Sequence, residues 1–351
     1  MLLVAAVAVV ASIYMGFGVL TAAESLGYDF YVYSTAAERF LSGQPLYDTS
    51  VTRTGVGNVY QYPPPFVAVA LPFALLGFDL GNAAWIAALL VCFVVGCAII
   101  PVRWEVKLAI FLAGATGWPL IFGVRIGQVV PILFLLFAIG WRWLERPGVV
   151  GVIAALGALI KLQPVVLLGW LAAVGSWRGV AIGVATGLVA TAVAAVAGLG
   201  QWVDLLTLLR NLADATDVAA NVSLGATAYT LGVPRELAGI LQSISVAVVP
   251  GFVVLCARRS SREASYLVAV IASQIISPIV WTHYALILLL PVAWLLQRRQ
   301  WWAAIIPLSQ AWVLLPFMPL AAYPVAFYAA LIGVPLIDRY RPSTSQALAP
   351  A

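Results

Sequence analysis

The chain has 351 residues; 64% are hydrophobic, 9% are charged, and the mean hydropathy is +1.05. A soluble globular chain carries about 25% charged residues, so that class is excluded. The net charge of +5 is dispersed through short loops, which fits membrane topology and not nucleic-acid binding.

Apolar runs are predicted to lie in the membrane at 3–23, 63–78, 82–101, 105–122, 127–143, 148–160, 163–175, 179–198, 236–257, 264–280, 282–296, 301–316 and 320–337. Several approach the roughly 20 residues that a bilayer span needs, and others fall short of it. Backbone polar groups in lipid must bond within their own segment, which selects helices. The short alternating segments of a β-barrel are missing. The first run has no positively charged flank and more spans follow, so it reads as an uncleaved helix and not a signal peptide. Cys92, Cys97 and Cys256 fall inside apolar runs and read as small interior side chains.

Residues 24–62 follow the first run and contain YDFYVYSTAAERFLSGQPLYD. They are expected on the outer face, with a helix along the surface at 36–41. Asp29 stands at the bilayer edge between Tyr28 and Phe30. It reads either as a helix-end charge or as a general base whose pKa is set by burial and neighbours. Tyr60–Phe66, YQYPPPF, is a stiff approach to the next apolar run, since proline is tolerated in a first helical turn.

Five basic clusters set the orientation: Arg142 with Arg146, Arg178, Arg258 with Arg259 and Arg262, Arg298 with Arg299, and Arg339 with Arg341. All five face the cytoplasm under the positive-inside rule. The helix pairs between them then turn at the outer face, at Ile160–Pro164 and at Ser277–Tyr284, and residues 200–234 lie outside. The N-terminal half does not close under this rule. Four apolar runs separate residue 62 from Arg142, and an odd number of crossings is required. Either one run is re-entrant or Arg142 faces outward.

Polar residues that interrupt apolar runs carry the chemistry, because ionisable groups at membrane depth are costly. His283, the only histidine, sits in SPIVWTHY and is either a packed interior residue or a functional one. Lys161 interrupts GALIKLQP too far inside to snorkel easily; it needs a buried acid or a ligand phosphate. Arg125 in GVRIGQVVP is either a phosphate clamp or a topology charge. Gln128 either bonds a sugar hydroxyl or ties helices together. Asn221-Val222-Ser223 matches a glycosylation sequon, a triplet common by chance. Tight metal-ligand clusters, glycine-rich phosphate loops and nucleophile elbows are not seen.

In order, DFYVYSTAAERFLSGQPLYD, YQYPPPFVAVALPFALL, GQVVPILFLLF, KLQPVVLLGWL and SPIVWTHYALILLLP resemble glycosyltransferase family 87 over residues 25–296. The resemblance implies the GT-C architecture: one all-α polytopic bundle over 1–342 with about 10–13 transmembrane or re-entrant helices, and a flexible tail at 343–351. It implies a multi-pass protein of the bacterial inner membrane whose site faces outward. The activity implied is inverting transfer of a sugar, mannose by family weight, from a polyprenyl-phosphate donor to a glycolipid or glycan acceptor. Catalysis falls to Asp29 as base and to His283; donor phosphate binding falls to Lys161 and Arg125. Gln128, Tyr33, Tyr62, Trp281, Tyr284 and Asn221 are the expected substrate contacts. No cofactor or divalent metal is expected, because cationic side chains can stabilise the leaving phosphate. A multi-pass transporter or flippase is the rival reading, since membrane-embedded Asp, His and Lys also build proton relays.

Overall fold

The computed structural model describes residues 26–52, 59–310 and 320–340. The candidate span 3–23, the tail 343–351 and part of the run 301–316 lie outside these residues. Among the described residues the structure is helical, with no strand.

The first described helix, α1 (Tyr28–Leu41), starts earlier than the segment 36–41 suggests. Gly27 caps it with φ 73°, and its amide donates to the Arg125 carbonyl at 2.8 Å. Asp29 therefore stands in the first turn, where the exposed amides of a helix N-terminus favour a carboxylate. The helices α2 (Phe66–Ala74) and α3 (Phe78–Ile99) follow. Nine residues of α2 span about 14 Å, less than half of a hydrocarbon core of about 30 Å. Both of its ends stay beside α1: Phe66 packs on Tyr33 and Tyr62, and the ring of Phe78 at the start of α3 lies 6.0 Å from those of Phe30 and Tyr31.

The helix α3 then runs the full depth of the protein. The run 105–122 becomes two helices, α4 (Trp104–Ala115) and α5 (Trp118–Ile126). Gly117 and Pro119 break the run, and the broken pair makes one pass back. The next pass is α6 (Val130–Arg142). Three passes thus separate Tyr62 from Arg142, and the run 63–78 is the one that does not cross. Trp141 and Arg298 both donate to Glu263, and the Arg103 amide donates to Gln297. Arg103 and the basic clusters at 142, 262 and 298 therefore gather at one end of the bundle.

The helices α7 (Pro147–Ile160), α8 (Val166–Ala173) and α9 (Trp177–Val196) complete the middle of the chain. A methyl group at Gly151 would sit 2.1 Å from the Gly179 carbonyl. The α7 and α9 backbones touch there because Gly151, Gly179 and Gly183 have no side chain to hold them apart, a membrane packing device. Two short helices, α10 (Trp202–Asn211) and α11 (Leu224–Thr230), cover the end opposite the basic clusters. Gln201 accepts from the Leu46 amide and Asn211 donates to the Thr49 carbonyl, so the two polar regions of the sequence meet.

The long helix α12 (Arg235–Arg259) returns to the basic end, and α13 (Arg262–Ile275) leaves it. Ser261 caps α13 by accepting from the Ala264 amide, and every residue from Ala264 to Ile275 is buried. A helix buried all round is the centre of the bundle. A 3₁₀ stretch, Thr282–Leu288, continues into α14 (Leu289–Gln297). The short α15 (Ile305–Leu308) and α16 (Ala322–Tyr340) close the described chain. Helices α3, α9 and α12 are long and apolar enough to cross a membrane singly; α6, α7, Gln163–Ala173 and Thr282–Gln297 are shorter apolar helices.

Candidate active site

The site lies at the end opposite the basic clusters, where α1, the start of α6, the end of α7 and the 3₁₀ stretch converge. Gly127 ends α5 with φ 79°, and a methyl group there would meet Phe30 at 3.0 Å. Trp85 donates to its carbonyl at 2.7 Å. This turn delivers Gln128 to the first turn of α1, and its Nε2 donates to Asp29 Oδ2 at 2.5 Å.

The Gln128 amide has one possible orientation. Its Oε1 accepts from the Val129 backbone amide at 2.9 Å and from the Tyr62 hydroxyl at 3.1 Å. A backbone amide can only donate, so the oxygen faces it and the nitrogen faces Asp29. The Tyr33 hydroxyl donates to that of Tyr62 at 2.8 Å. Tyr33, Tyr62, Phe66 and Trp85 enclose these groups in edge-on and stacked ring contacts with centroids 4.9–6.3 Å apart. Asp29 is half-buried, and its Oδ1 takes no hydrogen bond from any described residue.

The cation comes from α7. Lys161 follows the last residue of that helix in extended conformation, ahead of Pro164. Its ammonium donates to the Tyr284 hydroxyl and lies 5.7 Å from the Tyr62 ring centroid. Lys161 is 8% exposed, and no described carboxylate forms an ion pair with it. Burial raises the Asp29 carboxyl to about 7, and the Lys161 charge acts against that rise. Burial also holds Tyr33 and Tyr62 well above the ordinary phenol range, with the Tyr62 and Asp29 charges respectively adding to it. Both phenols are therefore donors at neutral pH.

His283 precedes Tyr284, its ring 5.0 Å from that ring and 6.0 Å from Phe122. It is 2% exposed, and neither ring nitrogen has a hydrogen-bond partner. Arg125 has a buried Nε without a partner, while its carbonyl receives Gly27. Asp29, Tyr33, Tyr62, Gln128, Lys161 and Tyr284 thus form one linked cluster with His283 at its edge.

Asn221 is placed differently from the expected sugar contact. Its Nδ2 donates to the Ala215 and Pro278 carbonyls, and its Oδ1 accepts from the Ser223 and Val280 amides. All of its bonds go to backbone, so it ties the loop after α10 to the turn that carries His283 and Tyr284. Trp281, also on that turn, is half-buried against the core. Gln163 and Gln242 fasten the same turn through Ser277. Trp85, which holds Gly127, lies in the apolar run 82–101, where its residue type alone gives no sign of that role. Among the described residues no three His, Cys, Asp or Glu side chains cluster.

A bundle of apolar helices with a half-satisfied acid and a buried lysine at one end defines a polytopic membrane protein with a polar cluster at the ends of its helices. The model of glycosyltransferase family 87 matches residues 60–282, more than half of the chain, and the protein belongs to that family. It is a membrane glycosyltransferase, acting between a sugar donor and an acceptor. The matched segment holds Tyr62, Arg125, Gln128, Lys161, Asn221 and Trp281; Asp29 precedes it, and His283 and Tyr284 follow it directly. No curated protein and no solved structure matches the chain.

Proposed function

We propose that this enzyme moves a sugar, mannose, from a polyprenyl-phosphate donor to a glycolipid or glycan acceptor at the outer face of a bacterial inner membrane, within a GT-C-type bundle. The observation that carries this reading is the acid–cation pair: Asp29 and Lys161 share one aromatic pocket without touching each other. Opposite charges held apart in a buried site are costly, and a phosphate on Lys161 with an acceptor hydroxyl on Asp29 would offset that cost.

The acceptor hydroxyl gives its proton to Asp29 Oδ1, the oxygen that Gln128 leaves free. Its oxygen attacks the anomeric carbon, and that new bond forms as the bond from the anomeric carbon to the phosphate oxygen breaks. The electron pair leaves with polyprenyl phosphate from the opposite face, so the configuration inverts. Lys161 offsets the charge growing on the phosphate. His283, with both nitrogens free, and Arg125 are the further donors toward it. The tyrosines give the sugar apolar faces to stack on. The polyprenyl tail stays in lipid throughout. This scheme assigns no step to a metal ion.

The test is incubation of the purified protein in lipid with radiolabelled polyprenyl-phosphate-mannose and a membrane glycolipid extract, beside Asp29→Asn. Transfer by the wild type alone supports the reading. Equal transfer by both proteins removes Asp29 as base. Failure with mannose but transfer from another polyprenyl-phosphate sugar replaces the sugar and keeps the mechanism.

A further inference from the structure

A second amphiphilic feature lies at the basic end, far from the acid–lysine cluster. The last turns of α12 and α16 leave an open groove between them. Phe252 and Leu255 line it from α12, and Ile332 and Leu336 from α16. Arg259 and Arg339, one from the last turn of each helix, line it as well, together with Ser260. Both arginines are exposed, and neither forms an ion pair with any described residue. Asp338, the carboxylate beside Arg339 in sequence, is buried and committed. Its two oxygens accept from the Ser261 amide at 2.6 Å and the Ser261 hydroxyl at 2.7 Å.

We propose that this groove binds an anionic glycerophospholipid, with the headgroup phosphate between Arg259 and Arg339 and an acyl chain along the α12–α16 seam. The position agrees with such a ligand. Arg259 ends a helix long and apolar enough to span the membrane, so the arginines stand at headgroup height and the apolar lining at chain depth. Guanidinium groups match phosphate oxygens in two-point contacts, and anionic lipid attracts arginines next to a span. A second copy of the chain packing its helix here would cover two arginines with no counter-charge. A free phosphate would leave the apolar lining unused. The bound lipid would bridge α12 and α16 next to the Ser261–Asp338 bond that already joins the start of α13 to α16.

The experiment places the full chain in nanodiscs of phosphatidylcholine containing a photoreactive phosphatidylglycerol, and maps the cross-linked peptides. Label concentrated in residues 252–260 and 332–339 supports the proposal. The Arg259→Gln/Arg339→Gln double variant is expected to lower that label by about tenfold, the factor set by roughly 1.4 kcal/mol of lost phosphate contact. Arg258→Gln, outside the groove, is expected to leave it unchanged. Circular dichroism of the double variant establishes that it is folded before labelling. Equal labelling of the double variant and the wild type, or label confined to other helices, overturns the proposal. So does label that inorganic phosphate displaces completely, since an acyl chain would then contribute nothing.

Discussion

Two carboxylates at opposite ends of the bundle teach what a satisfied and an unsatisfied acid mean. Glu263, at the basic end, spends both oxygens: Oε1 accepts from Trp141 at 2.8 Å, and Oε2 accepts from Trp294 at 2.8 Å and Arg298 at 3.1 Å. Arg298 also lies 3.7 Å over the Trp294 ring. That acid bolts α6, α13 and α14 together, with a protein donor on each oxygen and a cation at hand. Asp29 spends one oxygen on an amide that cannot neutralise it, while its cation sits on a tyrosine across the pocket. The first arrangement is closed on itself; the second leaves an acid and a cation apart, each bonded to a neutral side chain.

The comparison breaks most readily at Asp29. Asp29→Asn is expected to lower kcat by about 10²–10⁴, the range for losing a general base, measured as labelled product per minute. The same change is expected to stabilise the fold. The native carboxyl is raised to about 7, whereas an unfolded aspartate titrates near about 3.9. The wild type therefore loses stability as pH rises from the lower value through the upper one. Asparagine does not ionise, so its Tm advantage should be absent near pH 4 and full above pH 7, with both values approximate. A variant that loses both activity and stability would make Asp29 structural, like Glu263.

Lys161→Met is expected to cost about 10²–10³ in kcat, the scale of one lost charge stabiliser. It should also move the acid limb of the pH–rate profile upward, because the lysine charge is what restrains the rise of the Asp29 carboxyl. An unmoved limb would separate the two residues. Gln128→Ala is expected to reduce kcat by about tenfold with little change in donor KM, since it frees the carboxylate to rotate and leaves the donor contacts in place. A KM effect alone would return Gln128 to sugar binding. At the other end, Glu263→Gln should leave both kinetic constants within about twofold and lower stability by roughly 1–3 kcal/mol, because Arg298 loses its charge partner. Thermal unfolding and the transfer assay together decide this. Asn221→Ala should act between the classes: about 1–3 kcal/mol of stability lost from four broken backbone bonds, with activity falling only as the His283 turn loosens.

Much of this architecture is legible without coordinates. Lipid forces helices, and runs of apolar residues mark them, so α3, α6, α7, α9, α12 and α16 follow the predicted segments closely. The misread places have local causes. In the run 63–78 the helix is confined to nine residues whose two ends both pack on α1. In 105–122, Gly117 and Pro119 divide one apparent span into two helices. The length of α1 was hidden because Gly27, and not a side-chain cap, starts it.

For the site, residue type carried the signal. A lysine or histidine inside an apolar run is too costly to be incidental, which picked out Lys161 and His283, and the edge of the first run picked out Asp29. Partnership was not visible. Gln128 and Asp29 are 99 positions apart, and Lys161 and Tyr284 are 123 apart. Nothing in Asn-Val-Ser separates an asparagine that faces a sugar from one that fastens a turn.

The sequence by itself determined the membrane class, the helical content and which polar side chains are costly at membrane depth, because desolvation acts on each residue singly. The tertiary structure alone decided which run does not cross, which end each charge occupies and which acid is left half-satisfied. Those properties depend on hydrogen bonds between distant helices, and composition along one helix carries no record of what another brings to it.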